Sequence, residues 1–267
     1  MREFDKKIKI SVIIPVYNGA QYICNAIGSV KYQKVDADIE IIVVDDGSID
    51  NIDQIMDVYK NDSSIRYVKN GRNRGVAESR NRGVRISTGD YIAFLDSDDY
   101  WTEDKLQKQL DKMLTTDCVL CCTSRELMTP DGRLTRRVIP VKEHINYDIL
   151  LKHNCINCSS VLIKKEVAQE IPMEHEDSHE DYITWMKVLK KYDYAVGINE
   201  PLLKYRLSAS GKSGSKIHSS YKTFKAYKYM GFGNMKSFFC FIRYAINGIV
   251  KYGKAYLDAR IQERNNW

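Results

Sequence analysis

Long apolar runs are missing from this chain of 267 residues. Its first ten residues, MREFDKKIKI, are charged and lack the apolar core of a signal peptide, so we expect a cytoplasmic location. The cysteines number seven, and an odd number without an export signal favours reduced thiols over a disulfide framework. We therefore predict neither secretion nor a disulfide.

The overall composition is that of an ordinary folded protein. Hydrophobic residues make up 43% of the chain and charged residues 28%, which excludes disordered, collagen-like and heptad-repeat proteins. The net charge is +6, yet residues 202–267 alone hold 13 Lys and Arg and only two acidic residues. Five of the seven phenylalanines lie in the same stretch. This shift predicts two regions, a main domain at 1–215 and a basic, aromatic tail at 216–267.

Strand-like and helix-like patterns alternate over the first hundred residues. Short β-branched runs predict strands at 8–14, 39–44, 65–68 and 91–95. Apolar residues at helical spacing predict helices at 23–30, 52–59 and 76–86. Such alternation implies parallel crossovers, so the predicted fold class is α/β with helices on both faces of the sheet. Weaker patterns predict helices at 105–114 and 177–189 and strands at 118–122 and 201–207.

Acidic residues follow the predicted strands where they end. They are Asp45, Asp46, Asp96, Asp98 and Asp99. Because ligands bind beyond the carboxyl ends of strands in open α/β sheets, we expect these carboxylates to converge on one site. Like charges this close need a compensating cation, and Mg²⁺ or Mn²⁺ commonly binds carboxylates together with substrate phosphates. The alternative, a set of helix caps and turn formers, explains Ser48 and Asp50 but not Asp96.

Five short segments follow one another along the chain. They are SVIIPVYN at 11–18, VDDGS at 44–48, NRGVAESRNRG at 73–83, TGDYIAFLDSDDYW at 88–101 and the pair Glu180-Asp181. Together they resemble family 2 glycosyltransferases of the bacterial surface-polysaccharide type, over about residues 8–207. The resemblance implies the GT-A fold, which is Rossmann-like with a mostly parallel central sheet flanked by helices. It also implies a nucleotide-sugar-binding half at about 1–115 and an acceptor-binding half at about 116–215.

The resemblance implies roles for residues that hold the nucleotide. Pro15, Tyr17 and Asn18 would form a turn that packs on the base and bonds to it. Asp46 would bind the uracil or its ribose. Arg80 is a candidate contact for a phosphate or the base, with an ordinary surface arginine as the alternative.

The Asp-x-Asp motif, Asp96-Ser97-Asp98, would bind the ribose and the diphosphate. In such enzymes the first acid usually faces the ribose, and the second, here Asp98, holds the metal that bridges the two phosphates. Asp99 is a further candidate for that site. Asp181 matches the position of the catalytic base, and a carboxylate suits this role because a sugar hydroxyl is a poor nucleophile without one.

An acidic run at 174–181 surrounds this candidate base. The crowding of acids favours a raised pKa for a buried member of the run. The alternative is an acidic helix start favoured by the helix dipole, which explains Glu176 and Asp177 better than Asp181.

Other signals are weaker. Cys118, Cys121, Cys155 and Cys158 form two C-x-x-C pairs, which we interpret as small core residues rather than a zinc site. The end of the last predicted strand and the loop after it also resemble the closing segment of the family, in which Arg206, Lys212 or Ser213 would contact the diphosphate. By the same resemblance His218 is a candidate metal ligand, with a solvated histidine as the alternative.

The tail carries a basic amphipathic pattern at 235–261. Phe238, Ile242, Ala245 and Ile249 recur on one face, and Lys236, Arg243 and Lys251 on another. Such a helix can lie in the interface of an anionic membrane, and the alternative is packing on the main domain or a partner chain. We prefer the membrane surface and predict no nucleic-acid partner.

The sequence therefore predicts a metal-dependent, inverting glycosyltransferase. The donor would be a nucleoside diphosphate sugar, either a UDP-hexose or a UDP-N-acetylhexosamine. The acceptor would be a hydroxyl of a glycan or lipid-linked saccharide, reached from the inner face of the cell membrane. The alternatives are a nucleotidyltransferase that acts on a sugar phosphate, and a non-enzymatic basic adaptor for membranes or nucleic acid.

Overall fold

The computed structural model describes residues 7–207 and 216–265. Within these ranges one mixed sheet has the strand order β3-β2-β1-β4-β9-β6-β10-β5, with β7 beside β6 and β8 beside β10. The strands are β1 (Lys9–Val16), β2 (Asp38–Asp45), β3 (Ile65–Lys69), β4 (Tyr91–Phe94), β5 (Tyr100–Trp101), β6 (Leu120–Met128), β7 (Leu134–Ile139), β8 (His144–Asn146), β9 (Leu162–Lys164) and β10 (Tyr194–Arg206).

Helices cover both faces of this sheet. They are α1 (Ala20–Lys31), α2 (Ile52–Met56), α3 (Val76–Ile86), α4 (Lys105–Thr116), α5 (Tyr147–Lys152), α6 (Lys165–Glu170), α7 (Glu180–Lys191), α8 (Lys216–Tyr229) and α9 (Asn234–Asn265). Successive residues of β1 serve opposite faces, as a strand requires: Ile13 belongs to one core cluster, and Val12 and Ile14 belong to the other.

The first half of the sheet is parallel, as predicted. β1 pairs in parallel with β2 and β4, and β2 pairs in parallel with β3. The second half is mixed, because β9 lies antiparallel between β4 and β6. Short connections explain part of this difference, since the tight turn at 130–132 makes β6 and β7 antiparallel neighbours.

The last strand is longer than predicted. β10 runs in register with β6 on either side of a shift between Ile198 and Leu203. Pro201 falls inside this irregularity, where a residue without an N–H does not interrupt the ladder. The strand therefore continues through Pro201 and ends at Arg206.

Close packing fixes α3 on the sheet. A side chain at Gly83 would approach the Ile13 Cγ2 methyl to 2.5 Å, so the glycine lets this helix lie directly on β1. At the start of α3, the Ala77 N–H donates to Glu176 Oε2 at 2.8 Å. The helix that carries Arg80 is thus held at both ends.

Candidate active site

A cavity of about 540 Å³ lies at the carboxyl ends of β1 and β4. Seven of the predicted site residues line it: Pro15, Arg80, Asp96, Ser97, Asp98, Asp181 and Arg206. The start of α7 and the end of β10 form the facing walls. Ligands of open α/β sheets bind at this edge, so the structure brings the predicted metal, phosphate and base residues to one place.

Arg80 lies at the centre of the charge arrangement. Its Nη2 donates to Asp96 Oδ1 at 2.6 Å, and its Nη1 donates to Glu180 Oε1 at 3.0 Å. The arginine side chain is only 4% exposed, so it is not the ordinary surface arginine of the alternative interpretation. It joins the Asp-x-Asp loop to the helix that carries Asp181.

Asp98 and Asp99 differ sharply in their surroundings. Asp99 is 1% exposed, and its Oδ1 accepts the Arg206 N–H at 2.8 Å, so this carboxylate fastens the loop to β10. Asp98 lines the cavity instead. Burial raises the pKa of Asp98 to about 6, with a further rise from the Asp96 carboxylate and an opposing effect of Arg206.

The oxygen donors at Asp98 and Asp96 suit a hard divalent cation. Among the described residues there is no cluster of three or more His, Cys, Asp or Glu side chains placed to hold a metal. Mg²⁺ sites commonly use one or two carboxylates, with substrate phosphates and water completing the coordination, and the pair Asp96 and Asp98 fits this pattern. A bound cation would offset both causes that raise the pKa of Asp98, the burial of its carboxylate and the repulsion from Asp96.

Asp181 lies in the first turn of α7. Its Oδ1 accepts the N–H of Tyr182 at 2.7 Å, which fixes the carboxylate against its own helix. Burial raises the pKa of Asp181, whereas the Arg80 guanidinium and the Tyr182 N–H oppose the rise. A raised pKa makes this carboxylate a stronger base than an ordinary aspartate.

The remaining predicted nucleotide residues lie outside the lining of this cavity. Asn18 has a φ of +51° and joins its loop to the next one, since its N–H donates to Ser48 Oγ and its Oδ1 accepts the Ile49 N–H. The Tyr17 side chain is 51% exposed on the same loop.

Asp46 is 4% exposed, and its side chain forms hydrogen bonds within the protein. Its carboxylate accepts the backbone N–H groups of Arg74 and Gly75 and the amide of Asn70, all within 2.9 Å. These bonds shape the loop that leads into α3.

Sequence reasoning missed the roles of three residues at or beside the site. Glu180 pairs with Arg80, Glu176 caps α3, and Lys222 of α8 lines the cavity while being 8% exposed. The first two lie in the acidic run, where only their partners reveal their roles. Lys222 is one lysine among many in the basic tail, and no local pattern distinguishes it.

Arg206 is placed by backbone contacts. Its Nε donates to the Asp98 carbonyl at 3.0 Å and its Nη1 to the Pro130 carbonyl at 2.9 Å. Lys212, Ser213 and the His218 side chain lie outside the described residues.

The four cysteines of the C-x-x-C pairs are buried in two different core clusters. Cys118 and Cys121 pack with one cluster, and Cys155 and Cys158 pack with the other. Their positions agree with core packing.

The sheet order, the acidic loop after β4 and the facing carboxylate define a nucleotide-sugar-dependent transferase of the GT-A class. Comparison with known proteins gives the family. Residues 11–171 match the model of glycosyl transferase family 2, and the chain belongs to this family. The predicted enzyme class and the predicted fold class are thus confirmed, and the nucleotidyltransferase and adaptor alternatives are not supported.

Related sequences carry more specific names. The chain is 38% identical, over 91% of its length and 96% of the other, to a Bacillus subtilis protein named as the teichuronic acid biosynthesis glycosyltransferase TuaG. It is 34% identical, over 94% of its length and 98% of the other, to the Escherichia coli UDP-Glc:alpha-D-GlcNAc-diphosphoundecaprenol beta-1,3-glucosyltransferase WfaP.

Solved structures share the fold at low sequence identity. S. aureus TarS in complex with UDP-GlcNAc has a TM-score of 0.67 and 18% identity over 86% of this chain and 69% of that one. The mannosyltransferase PcManGT of Pyrobaculum calidifontis, in complex with GDP-Man and Mn²⁺, has a TM-score of 0.65 and 16% identity over 86% of this chain and 66% of that one.

Proposed function

We propose that this protein transfers a sugar from a UDP-sugar to a saccharide hydroxyl during synthesis of a bacterial surface polysaccharide. The observation that carries the proposal is the cavity in which Asp98 and Asp181 lie on facing elements with Arg80 between them. The name of the WfaP relative supports a UDP-hexose donor and an acceptor sugar carried on a lipid diphosphate.

The reaction is a single displacement. The acceptor oxygen forms a bond to the anomeric carbon as the bond from that carbon to the diphosphate oxygen breaks. Asp181 accepts the proton of the attacking hydroxyl, which lowers the barrier because the neutral hydroxyl is a poor nucleophile. One displacement inverts the anomeric configuration and needs no covalent sugar intermediate.

Arg80 acts as a positioning residue in this proposal. Its two terminal nitrogens hold Asp96 and Glu180, so it sets the distance between the donor loop and the base helix. Asp98 would hold Mn²⁺ or Mg²⁺, which supplies Lewis acidity toward the charge that develops on the leaving diphosphate. Pro15, Tyr17, Asn18 and Ser97 keep the nucleotide-binding roles that the family pattern gives them. Asp46 would act on the nucleotide through the loop into α3, because its carboxylate accepts hydrogen bonds from three groups of the protein.

A direct test of the acceptor uses UDP-glucose, Mn²⁺ and a short-chain lipid diphosphate bearing N-acetylglucosamine. We expect a disaccharide-lipid product by mass spectrometry, with a β linkage by NMR if the donor sugar is α-linked. An α linkage in the product would contradict the single displacement. Failure with every UDP-sugar tested on this acceptor, while donor hydrolysis proceeds, would contradict the proposed acceptor class.

Metal removal should weaken nucleotide binding. A ligand present at 100 times its dissociation constant stabilises the folded state by about 2.7 kcal/mol, which a thermal melt detects easily. We expect UDP with Mn²⁺ to raise the melting temperature, and EDTA or Asp98→Asn to remove most of that rise. An equal rise with EDTA, in both proteins, would contradict a metal held at Asp98.

The exposed apolar side of α9 supports a location of the protein at a lipid surface. Within the described residues no helix is long and apolar enough to cross a membrane. One side of α9 packs on the core through Cys240, Phe241 and Tyr244. A different side leaves apolar side chains exposed, at Met235, Phe238, Phe239, Ile242, Ile246 and Val250. We place this exposed stripe in the interface of an anionic membrane, with Lys236 and Arg243 near the headgroups.

Vesicle binding tests this placement. We expect the protein to co-sediment with vesicles that contain anionic lipid, and less so as salt is raised. Replacing Phe238, Phe239 and Ile242 with Ser should reduce binding by about a hundredfold or more, because each exposed apolar side chain contributes about 1 kcal/mol or more when buried. Val58→Ser is the control, since Val58 is 80% exposed and lies outside the tail. Equal binding by both variants would contradict the assignment.

The two-region division at residues 215 and 216 stays a proposal. α8 follows the proposed boundary and contributes the fully buried Ala226 and Tyr227 to the core that also contains α7. Any truncation designed to separate the tail from the catalytic region should therefore keep α8.

A further inference from the structure

A second cavity opens beside the active site. It has a volume of about 840 Å³ and lies between α1 and the turn that joins β6 to β7. We call it the α1 groove, with Gln21, Tyr22, Cys24, Asn25 and Tyr32 on the helix side. Tyr100 and the turn at 130–132 face them.

Arg206 separates the groove from the active site and lines both cavities. Its guanidinium carbon lies 4.4 Å from the centre of the Tyr22 ring, and its nitrogens donate to the carbonyls of Asp98 and Pro130. Gly132 lies directly beside it, where a side chain would approach Nη1 to 3.3 Å. The wall between the two cavities is therefore held firmly and is continuous with the Asp-x-Asp loop.

The chemistry of the groove is neutral, aromatic and rich in hydrogen-bonding groups. Tyr32 is 78% exposed, which is unusual for so large a side chain. Among the described residues, no hydrogen bond is made by the side-chain amides of Gln21 and Asn25 or by the hydroxyls of Tyr32 and Tyr100. These groups are available to a ligand.

Such a surface fits a sugar better than it fits the other common ligands. Tyrosine rings offer an apolar face with a polar tip, and the C–H face of a pyranose ring packs on such a surface. Carboxamides offer both donors and acceptors, which matches sugar hydroxyls. A phosphate or nucleic acid would call for clustered cations, and the groove has one buried arginine beside the acidic Asp131.

We infer that the α1 groove binds a neutral saccharide, namely the part of the acceptor glycan away from the hydroxyl that reacts. This inference rests on the proposed function and concerns acceptors of two or more sugars, in which the reacting sugar lies in the active site and a neighbouring sugar lies in the groove. The shared Arg206 wall lets one glycan contact both cavities. Longer acceptors should then bind more tightly than single sugars.

The groove contains its own reporter. Cys24 is exposed there, whereas five of the other cysteines are buried and Cys240 of α9 is half-buried and distant in sequence. We would follow the alkylation of Cys24 by iodoacetamide with mass spectrometry, in the presence of chitotriose or maltotriose. We expect at least one of them to slow the alkylation of Cys24 and to leave that of Cys240 unchanged.

A variant pair completes the test. Tyr32→Ala should weaken saccharide protection by about three- to tenfold, which is the range expected for the loss of one aromatic contact. Tyr221→Ala is the control, because Tyr221 is 58% exposed and lies outside the groove. Hydrolysis of the UDP-sugar should be the same in both variants and in the wild type.

The two proposals fail in distinguishable ways. If the UDP-sugar is hydrolysed but neither trisaccharide protects Cys24, the groove inference is overturned and the proposed function stands. If protection is equal in Tyr32→Ala and the wild type, the groove inference is also overturned. If the groove binds saccharide but no UDP-sugar is consumed, the proposed function fails and the saccharide site remains.

Discussion

Replacement of Asp181 by Asn is expected to lower kcat by about 10²–10⁴-fold, the usual contribution of a positioned general base. The donor KM should change little, because Asp181 acts on the acceptor hydroxyl and not on the nucleotide. Asn has nearly the same shape as Asp, and its Oδ1 can still accept the Tyr182 N–H, which lies 2.7 Å from Asp181 Oδ1 in the wild type. The fold should therefore be preserved. The measurement is steady-state transfer at saturating acceptor.

A neighbouring acid provides the matched control. Glu174 lies in the same acidic run, with its side chain 52% exposed and paired with Lys187. Glu174→Gln should keep nearly full activity. If both variants lost activity equally, the general charge of the run would explain the effect, and Asp181 would lose its assigned role.

The pH profile gives an independent readout of the same residue. A base must be deprotonated, and burial raises the pKa of Asp181 above the ordinary aspartate value. The acid limb of kcat should therefore lie above pH ~4, the usual value for an aspartate, and activity should fall as the pH drops through it. At saturating Mn²⁺, which would keep Asp98 deprotonated, Asp181→Asn should remove this limb from its residual activity.

Replacement of Arg80 by Met is expected to destabilise the fold and abolish transfer. Arg80 is 4% exposed, and the Glu180 side chain that it binds is 11% exposed. Removing the cation takes away the guanidinium that Asp96 and Glu180 share, and breaking a buried ion pair on one side typically costs about 3–5 kcal/mol. The midpoint of urea unfolding measures the loss directly.

The same helix offers a control for Arg80. Arg85 is 57% exposed and pairs with Glu78 on the surface, where an ion pair contributes about 0–1 kcal/mol. Arg85→Met should therefore unfold almost as the wild type does. Arg80→Lys should recover part of the stability but little of the activity, because an ammonium group cannot hold two carboxylates in the fixed geometry of a guanidinium. A wild-type midpoint for Arg80→Met would contradict the bridging role.

The parallel half of the fold was predictable because its signals are local. Strands and helices alternate there with strong apolar periodicity, and β1 to β4 lie close to their predicted positions. The strand β9 has only three residues, which is too short to show an apolar periodicity. Its antiparallel place between β4 and β6 depends on tertiary contacts, which a single segment does not encode.

In the candidate site, too, local features were predictable from the sequence and contacts between distant residues were not. Asp96 and Asp98 were predicted because they directly follow the end of a strand, and Asp181 because the Glu180-Asp181 pair resembles the position of the catalytic base in family 2 glycosyltransferases. The pairing of Arg80 with Glu180 joins residues 100 positions apart, and no spacing rule reveals it. Likewise, the sequence places Asp46 at a strand end but does not indicate that three protein groups use its carboxylate.

In the tail, the apolar periodicity predicts a helix but does not predict which of its sides packs on the core. A basic amphipathic helix was predicted at 235–261, and α9 covers that range. Phe238 and Ile242 of the predicted apolar face are exposed, whereas Phe241 and Tyr244 pack on the core. A helix with apolar residues on two sides can pack on the core through either side. Only the structure shows which side of α9 packs on the core and which side remains exposed.

The most direct test of the central claim is a donor screen with purified protein, Mn²⁺ and a panel of UDP, GDP and CMP sugars, read as released nucleotide. The account predicts release of UDP from at least one UDP-sugar, and loss of that release in Asp98→Asn and on addition of EDTA. Release that persists undiminished in Asp98→Asn, or release from GDP or CMP sugars alone, would contradict it.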